Sequence, residues 1–241
     1  MALKTEGLGS ELIDAICERV REEFSEDEAA LCEPFVRQYY RWVPPDDLAR
    51  RSEDELYGIA TTHWKLARVR KDGEPSLRVL NPTADRDAWE SARTVVQVVS
   101  DDMPFIVDSV TMEVGRQGHS IDLVIHPVIV VRRDQDGRMI EVLDPDVRAP
   151  DAIAESVLGA ELLREPDADR LEQLRAGIEH VLEEVRAAVE DWQPMRERML
   201  GLAEGLLGSH PDDASELEVV EFLRWVSNGH FTYLGYREYD F

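Results

Sequence analysis

Residues 94–134 read TVVQVVSDDMPFIVDSVTMEVGRQGHSIDLVIHPVIVVRRD, a concentration of β-type residues wrapped around one short helical pattern. Thr94 to Val99 is β-branched and apolar, the composition of a buried strand. Ser100, Asp101 and Asp102 then offer caps for the orphan amides of a new helix, with Pro104 tolerated in its first turn. Ile106, Val110 and Val114 recur at i, i+4 and i+8 and give that helix one apolar stripe, which Gly115 and Gly118 bring to an end. Ile121 to Val131 is a second apolar run, Asp136-Gly137 is a hairpin turn, and Arg138 to Leu143 is the returning strand. Strand, helix, strand, strand is the opening of a ferredoxin-like unit.

Working outward, Leu12, Ile13, Ile16, Val20 and Phe24 share one face of an amphipathic helix. A second helix carries Phe35, Tyr39, Tyr40 and Trp42, starts or kinks at Pro34, and is stopped by Pro44-Pro45. Ser52 and Glu55 form a capping box for a third, and Ser76 to Leu80 reads as a strand. Thr83 to Ala92 has no period, and a domain boundary is expected there. On the other side, Asp144 to Ala152 is a loop, and Ser156 to Leu163 could be a short helix or a further strand. Asp167 and Asp169 can cap a long helix from Arg170 to Trp192, Pro194 can start another, and Ser215 with Glu218 forms a second capping box. His230 to Phe241 is aromatic and strand-like, as the first strand of a further domain would be.

Composition excludes several functions. The 241 residues hold 27 Lys plus Arg against 51 Asp plus Glu, a formal charge of −24. That excess repels phosphate backbones and anionic lipid, so neither nucleic acid nor a membrane is an expected partner. No basic start followed by an apolar core opens the chain, and Cys17 and Cys32 have no metal-ligand spacing, which fits two buried thiols in a cytoplasmic protein. The six histidines form no HxxxH or HExxH pair. A nicotinamide cofactor would need a Gly-rich strand-to-helix turn, whereas the turn here, Ser100 to Pro104, is acidic. Ser109 has no elbow motif or evident histidine partner, and Asp108 and Glu113 read as solvated or capping carboxylates. No catalytic residue, metal or cofactor is expected within the chain.

DDMPFIVDSVTMEV followed by HPVIVVRRD resembles the N-terminal region of the large bacterial NAD-specific glutamate dehydrogenases. VLNP from Val79, VRAAVEDW from Val185 and HFTYLGYREYD from His230 match the same region in the same order. The resemblance implies an ACT-like regulatory domain and inclines 156–163 towards a strand. It also implies a catalytic domain far downstream that oxidatively deaminates L-glutamate with NAD.

The expected architecture is therefore α+β. A helical N-terminal region with a short strand (1–82) precedes an ACT/ferredoxin-like antiparallel sheet with helices on one face (93–192). A helical C-terminal linker (193–228) comes next, then the first strand of a further domain (229–241). The expected function is regulation and assembly of the parent dehydrogenase, a homo-oligomer. ACT-like domains hold small ligands, commonly amino acids, near the first strand-helix turn, here Ser100, Asp101, Asp102, Met103 and Phe105. Helix amides there can take a ligand carboxylate, and Asp101 or Asp102 its ammonium group. The turn lacks the small glycine common in such domains, and N-capping explains the same residues. A structural module that packs on sister domains without any ligand, and a free-standing amino-acid sensor, are the alternative readings.

Overall fold

The computed structural model describes residues 2–209, 214–231 and 233–239. The chain forms two compact units, one ending at Leu182 and the other beginning at Glu183. In the first, helices α1 (Ala2–Glu23), α2 (Glu26–Tyr40), α3 (Pro45–Leu48) and α4 (Glu53–Ala67) precede strand β1 (Ser76–Leu80) and the short helix α5 (Ala84–Asp87). Then come β2 (Arg93–Asp101), α6 (Ile106–Arg116), β3 (Ile121–Ile125), β4 (Val128–Arg133), β5 (Met139–Val142), β6 (Ile153–Leu163) and α7 (Ala168–Glu190), whose final turns belong to the second unit.

The strands build one antiparallel sheet in the order β1-β2-β6-β4-β5, with β3 also paired to β6. The α+β, ACT-like reading holds, and 153–163 is a strand at the centre of the sheet. The apolar run 121–131 is two strands laid end to end along β6: β3 faces residues 159–162 and β4 faces 153–156. His126-Pro127 makes the break, because proline has no amide hydrogen for the ladder. The Pro127 carbonyl still accepts from the Val157 amide at 3.0 Å.

β2, α6, β3/β4, β6 and α7 supply strand, helix, strand, strand, helix, with β5 added as a hairpin. The remaining ferredoxin position, beside β2, is filled by β1, which precedes the unit in sequence. β1 pairs with β2 from Ser76↔Val99 to Leu80↔Val95. The boundary expected at residues 83–92 is therefore crossed by a strand pairing, and both sides of it lie within one compact unit.

Strand alternation sends successive side chains to opposite faces. On one face Val95, Val99, Ile129, Val131 and Val157 share a core with Ile16 and Val20 of α1, Tyr39 and Tyr40 of α2, and Trp64 of α4. Val96, Val98, Leu158, Ala160 and Leu162 are buried on the other. There α6 contributes the expected stripe of Ile106, Val110 and Val114, and α7 contributes Leu174 and Ile178. The ACT-like unit thus keeps its own two helices on one face, and the N-terminal helices cover the opposite one.

Local chemistry explains most helix limits. Ser25 caps α2 by accepting from the Glu28 amide, so α2 starts at Glu26 and passes through Pro34. The carbonyl that Pro34 leaves unbonded belongs to Ala30, which is exposed and open to water. Ser52 and Glu55 make both bonds of the expected capping box on α4. Asp167 caps α7, its Oδ1 accepting from the Asp169 amide at 2.9 Å. The hairpin glycine Gly137 has φ +77°, and a Cβ there would lie 2.3 Å from the Arg70 carbonyl oxygen. Only glycine fits that turn.

The second unit continues α7 into α8 (Trp192–Ser209) and α9 (Ala214–Trp225), followed by a π-helical turn at Val226–His230. Ser215 lies in the first turn of α9, and residues 210–213, just before that helix, lie outside the described ones. Residues 233–239 form no regular element, in place of the strand read from their aromatics. A strand needs a pairing edge, and none meets this segment among the described residues. The Tyr233 hydroxyl instead lies 3.0 Å from Ser227 Oγ, and Arg198 Nε donates to the Tyr236 hydroxyl at 3.2 Å. Among the described residues no helix is long and apolar enough to cross a membrane.

Candidate functional site

The turn from β2 into α6 contains Ser100, Asp101, Asp102, Met103 and Phe105. The first three do not cap the helix. β2 runs on through Asp101, held to β6 by the pairs Ser100↔Ser156 and Asp101↔Glu155, and α6 begins only at Ile106. Phe105 sits at the N-cap position in a left-handed conformation, φ +74°, with no side-chain cap bond. Such a conformation is strained for a side chain of that size.

Alternation divides the turn between the two faces of the sheet. Ser100 is buried and its hydroxyl donates to the Asp101 carbonyl at 3.1 Å. Its cross-strand partner Ser156 is also buried, with Oγ 2.7 Å from His126 Nε2 at the break between β3 and β4. Burial lowers the His126 pKa, and the nearby Asp102 carboxylate opposes that effect. Asp102 is exposed, and its amide donates to the Ala154 carbonyl at 3.1 Å. Met103 is half-buried and Phe105 exposed. Ser100, Asp102, His126 and Ser156 therefore gather near the N-terminal end of α6. Ser156 has no surface open to a substrate, so its contact with His126 fastens the strand break and does not arm a nucleophile.

Asp101 points the other way, into an ionic cluster that no local pattern in the chain announces. Its Oδ1 accepts from Arg70 Nη2 at 2.7 Å. Arg70 also donates to Glu155 Oε1 through Nε at 2.9 Å and Nη2 at 2.7 Å. Arg133 grips both oxygens of the same carboxylate at 2.7 Å and reaches the carbonyls of Gly137 and Ala67. Glu155 and Arg70 are 1% exposed and 2% exposed, so these charges are out of water and are satisfied by one another and by backbone carbonyls, those of Lys71 and Glu74 for Arg70. A second pairing, Arg51 with Glu161 at 2.7 Å, repeats the pattern farther along β6. Asp101 is thus engaged from the start, which leaves Asp102 as the carboxylate of the turn exposed to solvent.

The chemistry available at the turn is recognition: exposed carboxylate, half-buried imidazole, hydroxyls and the amide end of a helix. Among the described residues no group of three His, Cys, Asp or Glu side chains could hold a metal ion. Cys17 and Cys32 are buried, which pushes their thiols up to about 11 and about 12.

Comparison with known proteins places these elements in a family. Residues 35–178 match the family described as "Glutamate dehydrogenase, ACT1 domain". The NAD-specific glutamate dehydrogenase of Halomonas elongata is 36% identical over 234 residues, covering 95% of this chain and 14% of that protein. That of Pseudomonas aeruginosa is 34% identical over 210 residues, 86% of this chain and 13% of the relative. That of Mycobacterium tuberculosis is 25% identical over 178 residues, 73% and 11%. The chain thus spans only 11–14% of the length of these relatives. The family match encloses β1 to β6 and the start of α7, and with them the turn and its ionic cluster.

Proposed function

The chain belongs to the glutamate dehydrogenase ACT1-domain family, and on that premise we propose that it is the N-terminal regulatory and assembly region of a large NAD-specific glutamate dehydrogenase. The parent reaction in this reading is L-glutamate, NAD and water to 2-oxoglutarate, ammonium and NADH. NAD and the catalytic residues belong to a downstream domain. The observation that carries the reading is the family match combined with length: relatives named for the activity are about seven times longer than this chain. Its partners are the other domains of the same polypeptide and further copies in a homo-oligomer, in the cytoplasm, and 193–228 serves as the helical link to the next domain.

The turn at Ser100, Asp101, Asp102, Met103 and Phe105 is the effector site in this reading, and its ligand is an amino acid. The first-turn amides of α6, without a side-chain cap, take the carboxylate, and Asp102 takes the ammonium group. Asp101 acts indirectly by anchoring the turn to Arg70. The test is thermal unfolding of the chain across a panel of amino acids. A ligand at 100 times its Kd adds about 2.7 kcal/mol, worth several degrees at roughly 2–4 °C per kcal/mol. A shift reduced by Asp102→Ala, with the unliganded midpoint unchanged, supports the effector site. Dehydrogenase activity in the purified chain would overturn the division of labour.

The second reading is a structural module with no ligand. Exposed aromatics in the second unit favour it: Phe222, Trp225 and Phe231, with Trp225 stacked on His230 at 4.6 Å. It predicts a flat panel, together with stabilisation when neighbouring domains are added.

A further inference from the structure

At the other end of β2 from the turn, roughly 25 Å away at about 3.3 Å per residue, lies a cleft of about 810 Å³. The loop 82–92 and the N-terminal end of α4 form its walls, and Arg164 at the end of β6 closes it. We propose that this cleft is a second site, binding a free α-amino acid as a zwitterion. The proposal rests on reading the segment as ligand-responsive, and it differs in where the ligand sits.

The cleft is built rather than left over. Trp89 is buried in its wall and donates from Nε1 to Thr62 Oγ1 at 2.9 Å. The indole reaches that position only because residue 58 is glycine: a Cβ there would lie 2.2 Å from the ring. The residue before it, Ala88, is held at φ +64°, one of two non-glycine residues with positive φ among those described; the other is Phe105. Ser91 and Ser52 both bond the Glu55 carboxylate, which ties the loop to the helix. Arg19 is pinned by Glu23 at 2.7 Å and Asp54 at 2.6 Å, with its guanidinium 4.0 Å from the Tyr57 ring centroid.

Arg164 differs from Arg19. It donates through Nη1 to the Ser91 carbonyl at 2.6 Å and makes no ion pair among the described residues. The rest of its planar fork has the geometry for a carboxylate. Two arginines and three carboxylates, Asp54, Glu55 and Glu90, line the cleft, so a ligand carrying only negative charge is repelled. A zwitterion matches, with its carboxylate on Arg164 and its ammonium group on Glu90.

The test is isothermal titration calorimetry of the 241-residue chain with the L-amino acids, using the 2-oxo acid and the amine corresponding to each binder as controls. The expected result is binding of an amino acid and of neither control, weakened about tenfold or more by Arg164→Gln, the effect of losing a charge-assisted pair. Glu90→Gln weakens it too, and the binding that belongs to the cleft persists in an Asp102→Ala background, which removes only the site at the turn. Arg164 and Glu90 are exposed, so both variants keep the fold, as circular dichroism will verify. Binding lost with Asp102→Ala, or retained in full with Arg164→Gln, overturns the cleft. So does the absence of any binder. The regulatory reading is judged separately, by whether amino acids alter the activity of the full-length dehydrogenase.

Discussion

Two buried residues carry much of what is distinctive in this fold. Glu155 serves two guanidiniums, Arg70 and Arg133, whose side chains are 1% and 4% exposed. Removing the acid leaves both cations in a low-dielectric interior, a cost of about 3–5 kcal/mol. Glu155→Ala should therefore lower the urea midpoint sharply, and a midpoint close to the parent's would show the cluster to be dispensable. His63 is fully buried between Tyr39 and the Val98 carbonyl, and burial lowers its pKa from 6.5 to about 3. Between those values the unfolded chain binds a proton that the folded chain does not. Stability is therefore lost as pH falls below about 6.5, by about 1.4 kcal/mol per pH unit for this group. Denaturant unfolding at pH 6 and pH 5 should show a flatter dependence in His63→Gln than in the parent; equal slopes would exclude this histidine as the cause. Neither role is legible locally, because Arg70 lies 85 residues from Glu155 and His63 lies 35 from Val98.

Where a short-range signal decides an element, the chain reads correctly. The Ser52 and Glu55 box starts α4, and Ser52→Ala should cost about 1 kcal/mol by leaving an amide without its cap. Equilibrium denaturation measures this directly, and an unchanged free energy would mean that tertiary packing holds the first turn. Elements decided by their surroundings read less well. Ser156 to Leu163 is ambiguous in isolation, readable as a short helix or a strand, and the observed strand starts earlier, at Ile153. In the fold Glu155 and Glu161 face the same side of β6, each matched by arginine from the α4 region or its flanks. The strand is then buried on both faces. The capping assignment of Ser100 to Asp102 failed for a related reason: β6 holds β2 extended through Asp101, and strand pairing outlasts a local capping preference.

For the whole molecule, the consequence is that the sheet cannot stand without the N-terminal segment. β1 supplies an edge of the ferredoxin-like arrangement, and α1, α2 and α4 cover Val95, Val99, Ile129, Val131 and Val157. A chain starting at residue 93 should expose this apolar face and fail to unfold cooperatively, whereas one lacking only the second unit should keep the first unit's transition. Calorimetry on the two truncations separates them, and a sharp transition in the chain from residue 93 would restore the boundary expected at 83–92. Periodicity, caps and turn residues act over a few positions, so the helices, most strands, the strand-helix-strand-strand order and the acidic character come from the chain alone. The placement of β1 beside β2, the sharing of one core across the expected boundary, the pairing of buried charges and the cleft under Trp89 depend on contacts between residues tens of positions apart. Loop closure and burial select such contacts only when the entire sheet is assembled.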